Sequence, residues 1–256
     1  MICRTFSKTA MLAVALAVAL PSPANASEEW GYEHGTEQWG HLDPAYAGCS
    51  TGLQQSPIDV IRANTVHKPL PNLRFHYASS ATVDVANLGH TIQGIPPGTA
   101  NTLRIGSKVY TLAQFHFHTP SENFLDGEQY PLEMHLVHKA ADNSLAVVGV
   151  FFDEGAANPQ LQKAIDATPD EEGEHGSAPA FHLNALIPSG PIYRFSGSLT
   201  TPPCSEGVAW HVASVRKTAS LAQLTAFAER FSGHEFPGGN RRPVQARHGR
   251  RVYTDH

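Results

Sequence analysis

The chain has 256 residues, 41% of them hydrophobic and 16% charged, with a formal net charge of -5 when histidine is neutral. That length suits one large domain with its own core. A mildly acidic balance argues against nucleic acid or an anionic membrane surface as partner, and after the first 20 residues no apolar run is long enough to cross a bilayer.

Residues 1–26 read as a signal peptide. Arg4 and Lys8 supply positive charge, Met11 to Leu20 is an unbroken apolar run, and Ala24-Asn25-Ala26 offers a small-residue cleavage site. The apolar run is too short for a spanning anchor, which needs about 20 residues. Cleavage leaves residues 27–256 as a single domain, periplasmic or secreted, with no membrane anchor. Of three cysteines, Cys3 departs with the leader, so Cys49 and Cys204 remain as an even pair in an oxidising compartment. That pair points to one disulfide, with two buried free thiols as the alternative.

From Trp30 to Asp59 few periodic elements are visible, and the segment reads as an arm wrapped over the domain and pinned by its aromatics. Between Leu73 and Tyr110, alternating or β-branched runs such as 81–86 and 103–105 are separated by Pro/Gly turns, which predicts sheet. Gln114 to His138 carries four histidines. In an extended chain residues i and i+2 share a face, so Gln114, His116 and His118 point one way and Phe115 and Phe117 the other. A second strand-like run, Leu132 to Lys139, sets Glu133, His135 and Val137 on one face and His138 on the opposite one.

If those two strands pair, three imidazoles converge. Such a set suits zinc and keeps a fourth position for water. Gln114 and Glu133, each two residues before a proposed ligand, are placed to accept the other ring N–H. One buried, hydrogen-bonded histidine in a strand is ordinary structure; two on one face, with a third beside a carboxylate, argue for a metal.

Ser144 to Phe152 is a continuous apolar run of the kind covered on both faces. Pro159–Ala167 and Ser220–Phe231 have helical spacing of apolar residues, with Asn158 and Ser220 as N-caps. The acidic stretch Thr168–Pro179 reads as an exposed loop, and the arginines from Arg241 to Arg251 as a solvated face. The fold class expected is mainly β, with a few short surface helices.

Several segments together resemble one family, the α-class carbonic anhydrases: QFHFH (114–118), EMHLVH (133–138), WGY (30–32), QSPIDV (55–60), NLGH (87–90), SLTTPP (198–203) and NRRPVQ (240–245). The likeness covers nearly all of the chain after the leader. It implies a single domain around a large, mostly antiparallel twisted sheet. It also implies reversible hydration of carbon dioxide to bicarbonate and a proton, through a hydroxide on Zn2+ held by His116, His118 and His135.

The same resemblance assigns further roles. His90 carries protons between the metal site and buffer, Thr200 accepts a hydrogen bond from the hydroxide and gives its own to Glu122, and Tyr32 helps order water. Gln55 belongs to a buried polar framework, and Asn240 supports His118 through its backbone carbonyl. Thr201 stands beside the bicarbonate position, and Val137, Val147, Leu199, Val208 and Trp210 form the apolar wall for carbon dioxide. Leu88 stands where many members carry asparagine, which bears on the water path to His90. Relatives bridge the cysteines at positions 49 and 204; ester hydrolysis as a side reaction and a homodimer are both compatible with the family.

Two rivals differ in class. His116, His118 and Glu122 also fit the metal motif of a cupin barrel, with iron or manganese, and a zinc-free binding module could share the same fold. The cupin reading leaves EMHLVH and SLTTPP unused, and the binding module is expected to lack one of the three histidines.

Overall fold

A computed structural model describes residues 30–187 and 190–255; the proposed leader and its cleavage site lie outside them. The period-two runs pair into one large twisted sheet. Its body is β1 (Ala81–Asn87), β2 (Ile92–Ile95), β3 (Lys108–His118), β4 (Leu132–Ala140), β5 (Leu145–Glu154), β6 (His175–Phe181), β7 (Ile192–Ser198) and β8 (Glu206–Ala213). The spatial order is β6-β1-β2-β3-β4-β5-β8-β7, within a sheet of 13 strands. Tyr253–Thr254 and Val66–His67 extend it beyond β7. Most neighbours are antiparallel, with β5 and β8 a parallel exception. The mainly β expectation holds.

Alternation along β4 and β5 sorts side chains into two layers. Met134, Leu136, Val148 and Val150 join Phe115 and Phe117 in a core on one face. Val147, Phe151, Val208, Trp210 and Val212 build a second core on the other. Both faces of β5 are thus covered, as its unbroken apolar sequence demands. Each large aliphatic or aromatic side chain so enclosed contributes roughly 1.5–3 kcal/mol relative to exposure.

Two helices close the first layer with Leu161, Ala164, Leu224 and Phe227. In α1 (Pro159–Ala167) Asn158 Oδ1 accepts from the N–H groups of Gln160 and Leu161, and in α2 (Leu221–Arg230) Ser220 and Gln223 form a capping box. Both N-caps are the residues expected from sequence.

Two expectations are corrected. The stretch Thr168–Pro179 is not all loop: from His175 it forms β6, pairing with β1 at the sheet's edge. A proline there is tolerated because an edge strand owes no hydrogen bond on its outer side. The arginine cluster is not uniformly solvated either. Arg251 is exposed, but Arg242 is only 2% exposed.

The N-terminal arm is pinned as anticipated, with Trp30, Tyr32 and Trp39 in edge-to-face contact. Cys49 and Cys204 are bonded, across 155 positions of sequence.

Candidate metal centre

The centre lies where β3 and β4 run side by side. His116 is paired directly with His135, and an irregularity between Leu112 and Gln114 sets that register. His118 follows two residues later on the same face. The three histidines offer nitrogen atoms that all lie within 4.8 Å of one another. His118 and His135 are 2% and 1% exposed. Burial pushes all three imidazoles down, His118 to about 4 and the other two well below the ordinary value, so each keeps a lone pair at neutral pH.

Hydrogen bonds decide which nitrogen stays free. His116 Nδ1–H donates to Gln114 Oε1 at 2.8 Å, and His118 Nδ1–H donates to the carbonyl of Asn240 at 2.7 Å. Both rings therefore keep an unprotonated Nε2. His135 Nε2 lies 3.1 Å from Glu133 Oε1, close but off the line of a good hydrogen bond, and its Nδ1 lies 3.8 Å from the same Glu122 Oε2 that approaches His118. Glu133 is itself held by the backbone N–H groups of Glu122 and Asn123, at 2.9 and 2.8 Å, and by Asn123 Nδ2 at 2.8 Å.

Among the described residues His118 Nε2 and Glu122 Oε2 are buried with no hydrogen-bond partner, and they lie 3.4 Å apart at the cluster. An unsatisfied buried polar atom costs about 1–3 kcal/mol. A divalent metal bound to three neutral imidazoles would satisfy the nitrogen and attract the carboxylate, so the residues present fit zinc.

Glu122 is completely buried, and its Oε1 accepts from the backbone N–H of Arg242 at 2.8 Å. Burial pushes its carboxyl up to about 8, opposed by the Arg242 N–H and the Thr200 hydroxyl. Thr200 and Glu122 are thereby brought together from distant parts of the chain. Tyr32 is buried nearby, and its phenol is held well up by burial and by Glu122.

The five apolar residues singled out in the sequence lie together. Val147, Val208 and Trp210 are buried in one cluster, with Val137 and Leu199 packed against it. At the histidines a cavity of about 200 Å³ is lined by Leu88, His90, Gln114, His116, His118 and Thr201, among others. His90 and Leu88 also line a larger outer cavity of about 470 Å³. The His90 ring sits 4.6 Å from that of Trp30. Burial, then the neighbouring His118, lowers its pKa.

Sequence reasoning missed three supports. The side chain of Asn240 ties strands together, accepting from Thr119 N and donating to the carbonyls of His90 and Phe117. Arg242 was read as surface. Gly149, opposite His135 on β5, leaves room for the Glu133 carboxylate. The glycine inside an apolar strand was the one visible sign of the last.

Fold and cluster define a twisted β-sheet protein with a three-histidine site able to hold a metal ion. The model of the family described as eukaryotic-type carbonic anhydrase matches residues 34–256, and the chain belongs to that family. A carbonic anhydrase of Pectobacterium carotovorum is 44% identical over 246 residues, covering 93% of this chain and 96% of that protein. The α-carbonic anhydrase of Photobacterium profundum is 41% identical, with a TM-score of 0.78, covering 88% of this chain and 100% of that one. The α-carbonic anhydrase of Thermovibrio ammonificans, solved with the inhibitor sulfanilamide, is 39% identical with a TM-score of 0.81, over 88% and 98% of the two chains.

Proposed function

We propose that this carbonic anhydrase hydrates carbon dioxide at a zinc ion held by His116, His118 and His135, with His90 exporting the proton. The observation that carries the reading is the three-imidazole cluster, with the tautomers of His116 and His118 fixed from outside by Gln114 and the Asn240 carbonyl. When bound, the metal supplies acidity, making water a nucleophile near neutral pH.

The remaining work falls to the chain. Val137, Val147, Leu199, Val208 and Trp210 offer an uncharged substrate an apolar surface and exclude competing water. Thr200, giving its hydroxyl proton to Glu122, keeps only lone pairs for the reacting oxygen, so it accepts a hydrogen bond and orients that oxygen. Thr201, lining the same cavity, stands by the product. Tyr32 helps hold water between the centre and His90, whose ring faces both the inner and the outer cavity. Activated esters reaching the same nucleophile would be hydrolysed as a side reaction.

The disulfide supports an oxidising compartment, and with the basic-apolar leader it supports export to a periplasm or beyond. No helix among the described residues is long and apolar enough to cross a membrane.

Stopped-flow hydration before and after treatment with a zinc chelator tests the reading. Activity should disappear with the metal and return with added zinc; activity indifferent to chelation overturns it. His90→Ala should slow turnover chiefly in dilute buffer, with partial rescue by imidazole. Buffer-independent turnover removes the shuttle.

A further inference from the structure

Thr200 and Glu122 sit on loops far apart in the sequence, yet one carboxylate and one hydroxyl must stay aligned. Behind them runs a second connection that the reaction itself does not use. The backbone N–H of Arg242 donates to Glu122 Oε1 at 2.8 Å. Its guanidinium donates to Gln55 Oε1 at 2.8 Å, to the carbonyl of Ser56 at 2.9 Å and to that of Cys49 at 2.7 Å. Gln55 then donates through Nε2 to the carbonyl of Cys204 at 3.1 Å, and the Cys204 N–H donates to the carbonyl of Thr201 at 2.9 Å. Glu122, Arg242, Gln55, Cys204 and the Thr200–Thr201 loop thus form a ring, closed where the Thr200 hydroxyl meets the Glu122 carboxyl.

All but Thr201 are shielded from water. Gln55 is 3% exposed, Arg242 2%, Cys204 0% and Thr200 6%. In such surroundings hydrogen bonds are strong and a missing one is costly, so the ring holds a single geometry. A guanidinium fork bonded to three acceptors is also far more directional than a lysine ammonium.

We propose that Gln55 and Arg242 are positioning residues for the Thr200–Glu122 pair, and that by fixing it they set how strictly the site prefers oxygens that carry a proton. The proposal rests on the orienting role given to Thr200 above. If the ring slackens, the Thr200 hydroxyl can turn, and anions without a proton to donate are no longer disfavoured.

Two substitutions open the ring at different places. Gln55→Glu keeps an acceptor for Arg242 but replaces the donor to Cys204 with an oxygen. Arg242→Lys keeps the backbone N–H to Glu122 and the charge but loses the fork. The readout is the visible spectrum of cobalt(II)-loaded protein titrated with azide, which carries no proton, and with bicarbonate, which does. Azide should gain on bicarbonate by about three- to tenfold in both variants, the size of one hydrogen bond, with cobalt content unchanged. Loss of packing alone would weaken both anions together and leave their ratio where it was.

Thr200→Ala separates the role of the hydroxyl from that of the ring behind it. If it shifts the ratio while Gln55→Glu and Arg242→Lys keep the wild-type value, the ring is structural only and the proposal falls. An unchanged ratio in Thr200→Ala removes the orienting role itself, and the proposal with it. Should one ring variant fail to fold, the other decides.

Discussion

A Cβ built on Gly149 would stand 2.6 Å from Glu133 Oε1, so the bare backbone of β5 is what lets that carboxylate lie beside His135. Gly149 and His135 face each other across the β4–β5 pair. On the proposed reading the carboxylate orients a ligand without being one, and its removal or displacement should weaken the metal rather than abolish the fold. Glu133→Gln and Gly149→Ala are expected to lower zinc affinity about 10–100-fold, as outer partners of metal ligands typically do. Competition against a chromophoric chelator measures this; affinities equal to wild type would deny Glu133 the role.

Metal should also stabilise the protein, because a site assembled from two strands and a C-terminal segment exists only in the folded chain. At free zinc a thousand times its dissociation constant the gain is about 4 kcal/mol, a rise of roughly 10 °C in the unfolding midpoint for a domain this size. Differential scanning fluorimetry of stripped protein with and without zinc reads it. His118→Ala should erase the shift, and a shift that survives would put the ion elsewhere.

How much of this was legible beforehand depends on the range of the interaction. Gln114, His116 and His118 share a face because of a two-residue period, which is local, and the hydrogen bond from His116 to Gln114 follows. His135 opposite His116 required a register that the irregularity after Leu112 fixes, and no local pattern carries that. Arg242 was misjudged because charge composition points to solvent, whereas carbonyls of Cys49 and Ser56, far back in the chain, gather around it. Strand β6 was missed for a similar reason: its glycine and proline argue for loop, and only pairing with β1 keeps it extended.

Acid stability should be set partly by two histidines behind the sheet. His138 donates through Nδ1 to the carbonyl of Ala146 and accepts at Nε2 from the Tyr77 hydroxyl at 2.7 Å. Burial lowers it to about 4, and burial together with Arg194 lowers His211 to about 3. Both folded values lie below the unfolded one near 6.5, so the unfolded chain binds the extra protons. Stability from the neutral rings is complete above about pH 6.5 and is lost as pH falls toward 4 and 3. Each histidine adds about 1.4 kcal/mol per pH unit to the slope inside that window. Urea unfolding from pH 7 to 4.5 should show the slope reduced by one proton's worth in His138→Gln; an unaltered slope would contradict the assignment.

The Cys49–Cys204 bond closes a loop of 155 positions. In the chain-entropy model that restricts the unfolded state by about 5 kcal/mol. A Cys49→Ser/Cys204→Ser double variant should therefore unfold at much lower denaturant, and wild type under reducing conditions should approach it. Equal midpoints for oxidised and reduced wild type would count against a stabilising role.

Gly239 is the position where the C-terminal segment is most tightly constrained. Its φ is +81°, and a Cβ there would fall 1.9 Å from the carbonyl oxygen of Thr119. An L side chain meets two penalties: an unfavourable left-handed backbone, about 1–2 kcal/mol, and a clash with main chain that cannot rotate away. The next residue, Asn240, carries the carbonyl that holds His118 and the amide that bonds the carbonyls of His90 and Phe117. Gly239→Ala should therefore push the segment off the end of β3, lowering zinc affinity together with stability. Gly238→Ala provides the contrast, since a Cβ there meets only the far end of the Arg241 side chain at 3.9 Å. Its zinc affinity and unfolding midpoint should match wild type, and equal losses in the two variants would refute the close approach at Thr119 as the cause.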